Sequence, residues 1–436
     1  MIPRGAFILL RHLWKIRNIS GFVQNNPSWC QKTTIEINGL HTVEDLSDIW
    51  NHRLQPYVLE AFHKVIATAF RFGVLSGKLR PQLETLVGPQ ESSLLMIFGS
   101  RDDEFLESMG PAVGLYRVAL GKISREVYLR NWGHRSALEI EAAAPRPFED
   151  PGWLDEQLEK LDAADIDIDR ILNKRCTEYE AAFRRLDTTY PKAASGLKMR
   201  LARCSAANME RESVRSEFIR IISVVRLWAR KSGELCGIGD DIFFLKLDEA
   251  LNLLHGNKEN VPYIPARKRT FEKYRKLPPY PAIISGKFDP LSWADNVERF
   301  HHCSTSENNN LNDDICIGNV ITGTPGSAGI AEGYVRLLET PEEVDQLQNG
   351  EILVTSSTNI GWTLLFPKVA AIVTDVGASL SHAAVVAREL GIPAVVNCEI
   401  ATQRLKTGYK VKVDGTKGIV EIISKNIDAW IPGDCS

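Results

Sequence analysis

The stretch from Thr374 to Val396 constrains this chain more than any other. It reads Thr374 Asp375 Val376 Gly377 Ala378 Ser379 Leu380 Ser381 His382 Ala383 Ala384 Val385 Val386 Ala387 Arg388 Glu389 Leu390 Gly391 Ile392 Pro393 Ala394 Val395 Val396, which is a strand, a small-residue turn, a helix and a second strand. That order aims His382 outward from a helix N-terminus. Ser381 is a good N-cap, and Gly377, Ala378 and Ser379 leave room for a group to approach the backbone. Gly391 and Pro393 signal the end of the helix. The first-turn N–H groups and the helix dipole favour anions, so a phosphate on His382 gains about 0.3–1 kcal/mol there. The same field disfavours imidazolium and favours the neutral, nucleophilic ring. Ala383, Ala384 and Ala387 keep part of the helix small, which suits docking against another protein surface. A lone histidine with these neighbours can also be a plain helix-capping residue; the length of the surrounding pattern favours chemistry.

The rest of the chain is organised around this element. At 436 residues, two or three domains are expected. Residues 1–256 read as α-rich, with apolar spacing of three and four over Leu46–Leu75, Gly114–Gly133, Trp153–Arg185, Ala194–Cys236 and Leu245–Gly256. Gly77, Pro81, Gly110–Pro111, Pro191 and Gly256 are expected to cut this region into separate helices. Residues 257–315 are rich in proline, then in asparagine at 308–310, and are expected to form a tether with an extended first part and a flexible second part. Residues 316–425 carry short β-branched strands at Tyr334–Glu339, Glu351–Thr355, Ala370–Thr374 and Ala394–Asn397, and a hairpin around Asp414 Gly415. A tail, 426–436, follows. The expected fold class is therefore multidomain, an α-rich domain followed by a C-terminal α/β domain.

Composition narrows the function classes. A formal net charge of −3 gives no reason to expect nucleic acid as a partner. Apolar runs such as Leu94–Phe98 fall far short of the roughly 20 residues that cross a bilayer, so no membrane partner is expected. Eight scattered cysteines, none in a two-residue pair spacing, suit a reducing, cytoplasmic setting. Metal-ligand spacing is absent, and His301 His302 in the tether reads as incidental, so no metal site is expected. Residues 1–34 hold Arg4, Arg11, Lys15, Arg17 and Lys32 with no acid, as an organellar transit peptide does. Phe7, Leu10, Leu13 and Trp14 also form a core-facing helical stripe, and that reading is preferred.

Thr374 to Val396 closely resembles the signature of the mobile domain of phosphoenolpyruvate-utilising enzymes, including phosphoenolpyruvate synthase, pyruvate phosphate dikinase and rifampicin phosphotransferase. Gly323–Gly329 with Gly333 resembles that domain's opening loop, Ile352–Val354 and Thr358–Trp362 its second strand and turn, and Val413–Gly415 with Gly418 and Val420 its closing hairpin. Ala378 replaces a frequent glycine and Asn359 a frequent aspartate. The resemblance implies a swivelling phosphohistidine domain with His382 as the phosphocarrier and Thr374, Gly377, Ser381 and Arg388 around the phosphate. It also implies that the domain moves between a nucleotide site and an acceptor site.

Gly133–Glu141, Pro145–Pro151, Arg211–Arg215, Asp241–Leu245 and Asp248 Glu249 are similar to the acceptor-binding domain of rifampicin phosphotransferase-like proteins. On that basis residues 1–256 are expected to bind the acceptor. Arg211 and Arg215 are four apart and share a helix face, so they either clamp a transferring phosphoryl group or form a solvated face with Glu212. His134, Arg135, Glu139 and Glu141 either serve the acceptor hydroxyl or form a buried polar network.

No glycine-rich phosphate loop followed by lysine occurs in the chain, and the ATP-grasp domain that loads such histidines has no counterpart here. The resemblance therefore implies a dikinase-type phosphotransferase without a firmly bound cofactor. ATP and Mg2+ are expected on a separate ATP-grasp protein, and the acceptor is expected to be a small hydroxylated molecule, as in secondary metabolism. The alternatives are an inactive truncated fragment and a non-catalytic binding or regulatory module.

Overall fold

The computed structural model describes residues 18–96, 107–162, 167–278, 280–281, 283–296, 303–305, 318–363, 365–379 and 381–425. In chain order the helices are α1 (Ile19–Asn38), α2 (Val43–Ile49), α3 (Gln55–Leu95), α4 (Gly110–Ala119), α5 (Arg125–Trp132), α6 (Trp153–Asp162), α7 (Ile168–Thr189), α8 (Pro191–Leu235), α9 (Leu247–Leu254), α10 (Ile264–Arg275), α11 (Pro290–Asp295), α12 (His382–Leu390) and α13 (Ala401–Arg404). The strands are β1 (Ile283–Ser285), β2 (Cys303–Thr305), β3 (Val320–Thr322), β4 (Thr324–Ser327), β5 (Ile330–Leu337), β6 (Ile352–Thr355), β7 (Ala371–Thr374), β8 (Ala394–Val396), β9 (Lys410–Asp414) and β10 (Ile419–Ser424). An α-rich region followed by a strand-rich one is what the two apolar periods called for.

The chain forms two compact units that do not follow the boundary at residue 256. One comprises residues 1–77, 124–153 and 203–275, the other 78–123, 154–202 and 276–436. Helices within 78–123 and 154–202 therefore cluster with the C-terminal segment. The first unit is held by an apolar core of Phe22, Leu46, Trp50, Leu54, Val214, Phe218, Ile222 and Trp228. There Trp228 packs tilted against Trp50, 4.4 Å between ring centroids, and its indole N–H donates to the Leu46 carbonyl at 2.8 Å. A buried indole satisfied in this way adds packing area without leaving a polar group unpaired.

In the second unit an eight-stranded mixed sheet runs β3-β10-β9-β5-β6-β7-β8-β4. The pairs β5–β6, β6–β7 and β7–β8 are parallel, whereas β4, β9, β10 and β3 pair antiparallel. The parallel strands β6, β7 and β8 are buried along their whole length, as strands covered on both faces must be. One face packs Ile352, Val354, Ala371, Val373 and Val395 against Cys398, Ala401 and Leu405. The other packs Leu353, Ile372, Ala394 and Val396 against α12 and, beyond it, Met109, Ala112, Val113 and Ile168.

Several expectations change. Helix α3 continues through Gly77 and Pro81, and its non-helical residue is Gly88. Burial of Leu79 and Leu83 along one face outweighs the propensity of both breakers. Within 257–278 the chain is not extended, because residues 264–275 form α10; Pro265 sits in its first turn, where a missing N–H removes no helical bond. The asparagine run 308–310, His301 His302 and residues 1–17 with their apolar stripe lie outside the described residues; the remainder of 1–34 is largely α1. The small face of α12 is not left for a foreign surface: Ala383, Ala384 and Ala387 are buried in the cluster with Met109, Val113, Ile168, Ile171 and Leu172 of the same unit. Small residues let those helices approach closely.

Candidate functional site

His382 is the first residue of α12, and Ser381 caps the helix, its side chain accepting from the Ala384 N–H at 3.5 Å. Gly391 closes it at φ 73°. Glycine adopts that left-handed conformation without the Cβ clash other residues meet. The turn leading to His382 is fixed at many points. The Asp375 and Val376 amides donate to the Thr355 and Ser356 carbonyls at 3.2 and 2.9 Å. The Asp375 carboxylate accepts the Thr402 N–H at 3.0 Å and the Thr402 hydroxyl.

Gly377 is where the backbone passes closest to its neighbours. A Cβ there would lie 3.0 Å from the Val396 Cβ, 3.1 Å from the Ser381 Oγ and 3.4 Å from the Thr374 Oγ1. Gly377, Ser381 and Thr374 therefore share one small space. Among the described residues the buried Thr374 hydroxyl has no hydrogen-bond partner, and neither has that of Thr355. The Arg388 guanidinium donates to the Gly326 carbonyl at 3.0 Å and the Ser379 carbonyl at 2.6 Å. It ties strand β4 and the turn to α12. The two departures from the mobile-domain pattern are easily accommodated. Ala378 is exposed, and the Asn359 Oδ1 accepts the Gly361 N–H at 2.9 Å, a contact an aspartate makes equally well.

Three residues near α12 are not singled out by the sequence. The Thr363 hydroxyl lies 3.1 Å from the His382 Nε2, and the Phe366 ring lies 6.0 Å from the imidazole. Arg175 of α7 donates to the Arg388 carbonyl at 3.0 Å, placing a cation at the negative end of the same helix. None of the three has a local signature. Thr363 directly follows the quoted Thr358–Trp362 turn, and that adjacency was the one available signal.

The acceptor-side candidates lie in the other unit, and most of them form a buried network. The His134 Nε2 lies 3.1 Å from the Ser216 carbonyl and 3.3 Å from its Oγ, and Arg135 Nη1 donates to the same Oγ at 3.3 Å. The Glu139 carboxylate accepts from Arg135 Nε on one oxygen and from Arg215 Nη2, at 2.6 Å, on the other. Arg211 and Arg215 do share a face of α8, but each is already engaged. Arg211 pairs with Glu212 at 2.5 Å, bonds the Asn208 Oδ1 and stacks 5.1 Å from the Phe72 ring centroid. Glu141 stands apart, exposed, its carboxylate accepting the Ala143 N–H at 2.8 Å. Around this network Arg226 forms a two-pronged pair with Glu149, and Arg146 bonds the Ser136 hydroxyl and the Glu141 carbonyl. Glu149 and Arg146 fall within the quoted Pro145–Pro151 stretch; Ser216 and Arg226 were missed.

Burial, together with the charges of Arg220 and Arg135, holds the His134 imidazole well below its usual protonation range. The unfolded chain therefore takes up the proton first as pH falls, so the stability linked to His134 is complete above about 6.5 and is lost below it. Unfolding free energy is expected to fall by about 1.4 kcal/mol per pH unit below that point, for as long as the folded ring stays neutral. Denaturant titrations between pH 7 and 5 on wild type and His134→Gln check this, because the variant should lack that increment of slope. Equal slopes would show that His134 is protonated in the folded protein.

Among the described residues there is no group of three or more His, Cys, Asp or Glu side chains that could hold a metal ion, and no helix long and apolar enough to cross a membrane.

Residues 347–418 match the family described as PEP-utilising enzyme, mobile domain. The chain is 29% identical over 368 residues to a rifampicin phosphotransferase of Streptomyces sviceus, covering 78% of this chain and 38% of that protein. It is 34% identical over 184 residues to a rifampicin phosphotransferase of Bacillus cereus, covering 42% and 19%. Chondramide synthase of Chondromyces crocatus is 36% identical over 207 residues, covering 44% of this chain and 5% of that protein. The chain thus spans 38% or less of the length of these three relatives. The segment carrying His382 matches a phosphoenolpyruvate-utilising mobile domain, and most of the chain is similar in sequence to a rifampicin phosphotransferase.

Proposed function

We propose that this chain is a phosphotransferase that takes a phosphoryl group onto His382 and passes it to a small hydroxylated acceptor held by the α-rich unit. One observation supports the reading above others: a half-buried imidazole stands at the N-terminus of α12, on a turn of small residues fixed from both sides. The lone pair of a neutral ring nitrogen forms the N–P bond while the bond from phosphorus to the donor's leaving oxygen breaks. The leaving oxygen keeps that electron pair. Helix N–H groups and the dipole then face the phosphoryl charge. Similarity to rifampicin phosphotransferases supports phosphoryl transfer. On this reading the donor is the β-phosphate of ATP, delivered with Mg2+ by an ATP-grasp protein or domain.

On the acceptor side, Arg215 keeps over a third of its side chain exposed and Glu141 is exposed, so these two have solvent access for ligand contact. His134, Arg135 and Glu139 act behind them, holding the helix geometry. The test is reconstitution. The chain, an ATP-grasp protein and ATP labelled at the β-phosphate are incubated with hydroxylated candidate acceptors, rifampicin among them. Label is expected on the acceptor only when both proteins are present. If the ATP-grasp protein labels the acceptor equally well without this chain, the proposal fails.

A further inference from the structure

Helix α10 is far more basic than the chain around it. Its 12 residues hold Arg267, Lys268, Arg269, Lys273 and Arg275 against the single acid Glu272, in a chain of net charge −3. The same helix turns aromatic rings to solvent. Phe271 is 53% exposed, and Tyr263, just before the helix, is 57% exposed. With Arg267 and Tyr274 they recur at spacings of three and four, so they share one helix face. That face borders a concavity of about 640 Å³, completed by Phe244 and Asn260. Pockets of roughly 300–1,000 Å³ suit small ligands. The Phe244, Tyr263, Phe271 and Tyr274 rings around one open concavity form a clustered apolar patch, which marks a binding surface more often than scattered exposed side chains do.

The walls of the concavity are held from behind. Phe244 meets Phe271 edge-on, 5.8 Å between ring centroids. Arg267 donates to the Phe244 carbonyl at 2.8 Å and to both carboxylate oxygens of Glu249, so its charge is matched within the wall. Lys268 is taken up by Asp241 and the Phe244 ring, and Arg275 by Glu272. Arg269 and Lys273 differ: both are exposed, and among the described residues neither has an ion pair. Four apart, they run along the edge that Ala266 and Thr270 present to the concavity. We propose that this concavity binds a planar aromatic anion, a ring bearing a phosphate or carboxylate. The ring packs among Phe244, Tyr263, Phe271 and Tyr274, and the anionic group reaches Lys273 and Arg269. A neutral ring leaves those two cations unanswered, and a simple anion leaves the aromatic walls wet. The site lies wholly within the first unit, and the proposal is independent of the carrier role of His382.

The test is equilibrium dialysis of the full chain against 1-naphthyl phosphate, with 1-naphthol and inorganic phosphate as its two halves. The ester should bind saturably at one site, and more weakly as salt is raised. 1-Naphthol should bind roughly tenfold more weakly, and inorganic phosphate at equal concentration should not displace the ester. Phe271→Ala should weaken binding roughly tenfold through lost ring contact, and Lys273→Glu by at least as much through reversed charge. Because Lys273 is exposed, Lys273→Glu should keep the wild-type circular dichroism spectrum, so its loss of affinity reads the site rather than the fold. Equal affinity of wild type and Lys273→Glu overturns the proposal, and so does 1-naphthol binding as tightly as the ester. Absence of saturable binding also overturns it; co-sedimentation of the chain with vesicles of phosphatidylserine and phosphatidylcholine would then make this face a membrane contact instead.

Discussion

Replacing His382 with alanine is expected to remove acid-labile phosphoryl incorporation, by at least about a hundredfold, while leaving the fold in place. Both halves of that expectation come from the position of the residue. Its chemistry has no substitute on α12, where Ala383 to Leu390 are all buried. Its structural share is small. The cap belongs to Ser381 and the packing of the helix begins at Ala383, so the losses on truncation include the Thr363 and Phe366 contacts, on the order of 1 kcal/mol for the hydrogen bond. Circular dichroism and a denaturation midpoint close to wild type should accompany the loss of label. A variant that unfolds would instead place His382 among the residues that hold the domain together.

The second large effect is expected at Glu139. Its carboxylate joins two arginines, one of them, Arg135, with only 2% of its side chain exposed. Glu139→Gln removes the carboxylate charge beside that buried guanidinium. Breaking a buried pair from one side costs about 3–5 kcal/mol. The amide oxygen keeps one acceptor and Arg215 is partly solvated, so about 3 kcal/mol is expected. Glu141→Gln, at an exposed carboxylate two residues on, should change stability by less than about 0.5 kcal/mol. Urea denaturation of both variants checks the pair. A loss under about 1 kcal/mol at Glu139 would mean that Arg135 is solvated and that the network opens to ligands, which would move Glu139 from support into acceptor contact.

The contrast between these two residues explains what could be read from the sequence. Helix α12 was legible to the residue, His382 to Leu390, because its start and stop are written locally in Ser381, Gly391 and Pro393. The strands β6 to β10 were likewise marked by short β-branched runs between turn residues. The partners of these elements were not legible. An apolar or small-residue stripe tells that a helix buries a face; it does not tell that Met109, Val113 and Ile168 lie across from Ala383 and Ala384. Glu139 and Arg215 are 76 residues apart, and Thr363 and His382 are 19 apart, with no shared period to connect them. The tether differs for another reason: the prolines of 257–315 suggest extended chain, whereas Pro265, at the second position of α10, favours helix.

The carrier role of His382 is most directly tested by finding the phosphate. The chain is incubated with an ATP-grasp protein and ATP labelled at the β-phosphate, digested at alkaline pH and mapped by mass spectrometry. The account predicts one acid-labile, base-stable phosphoryl group on the peptide containing His382. Label on another residue, or equal labelling of the His382→Ala protein, would contradict it.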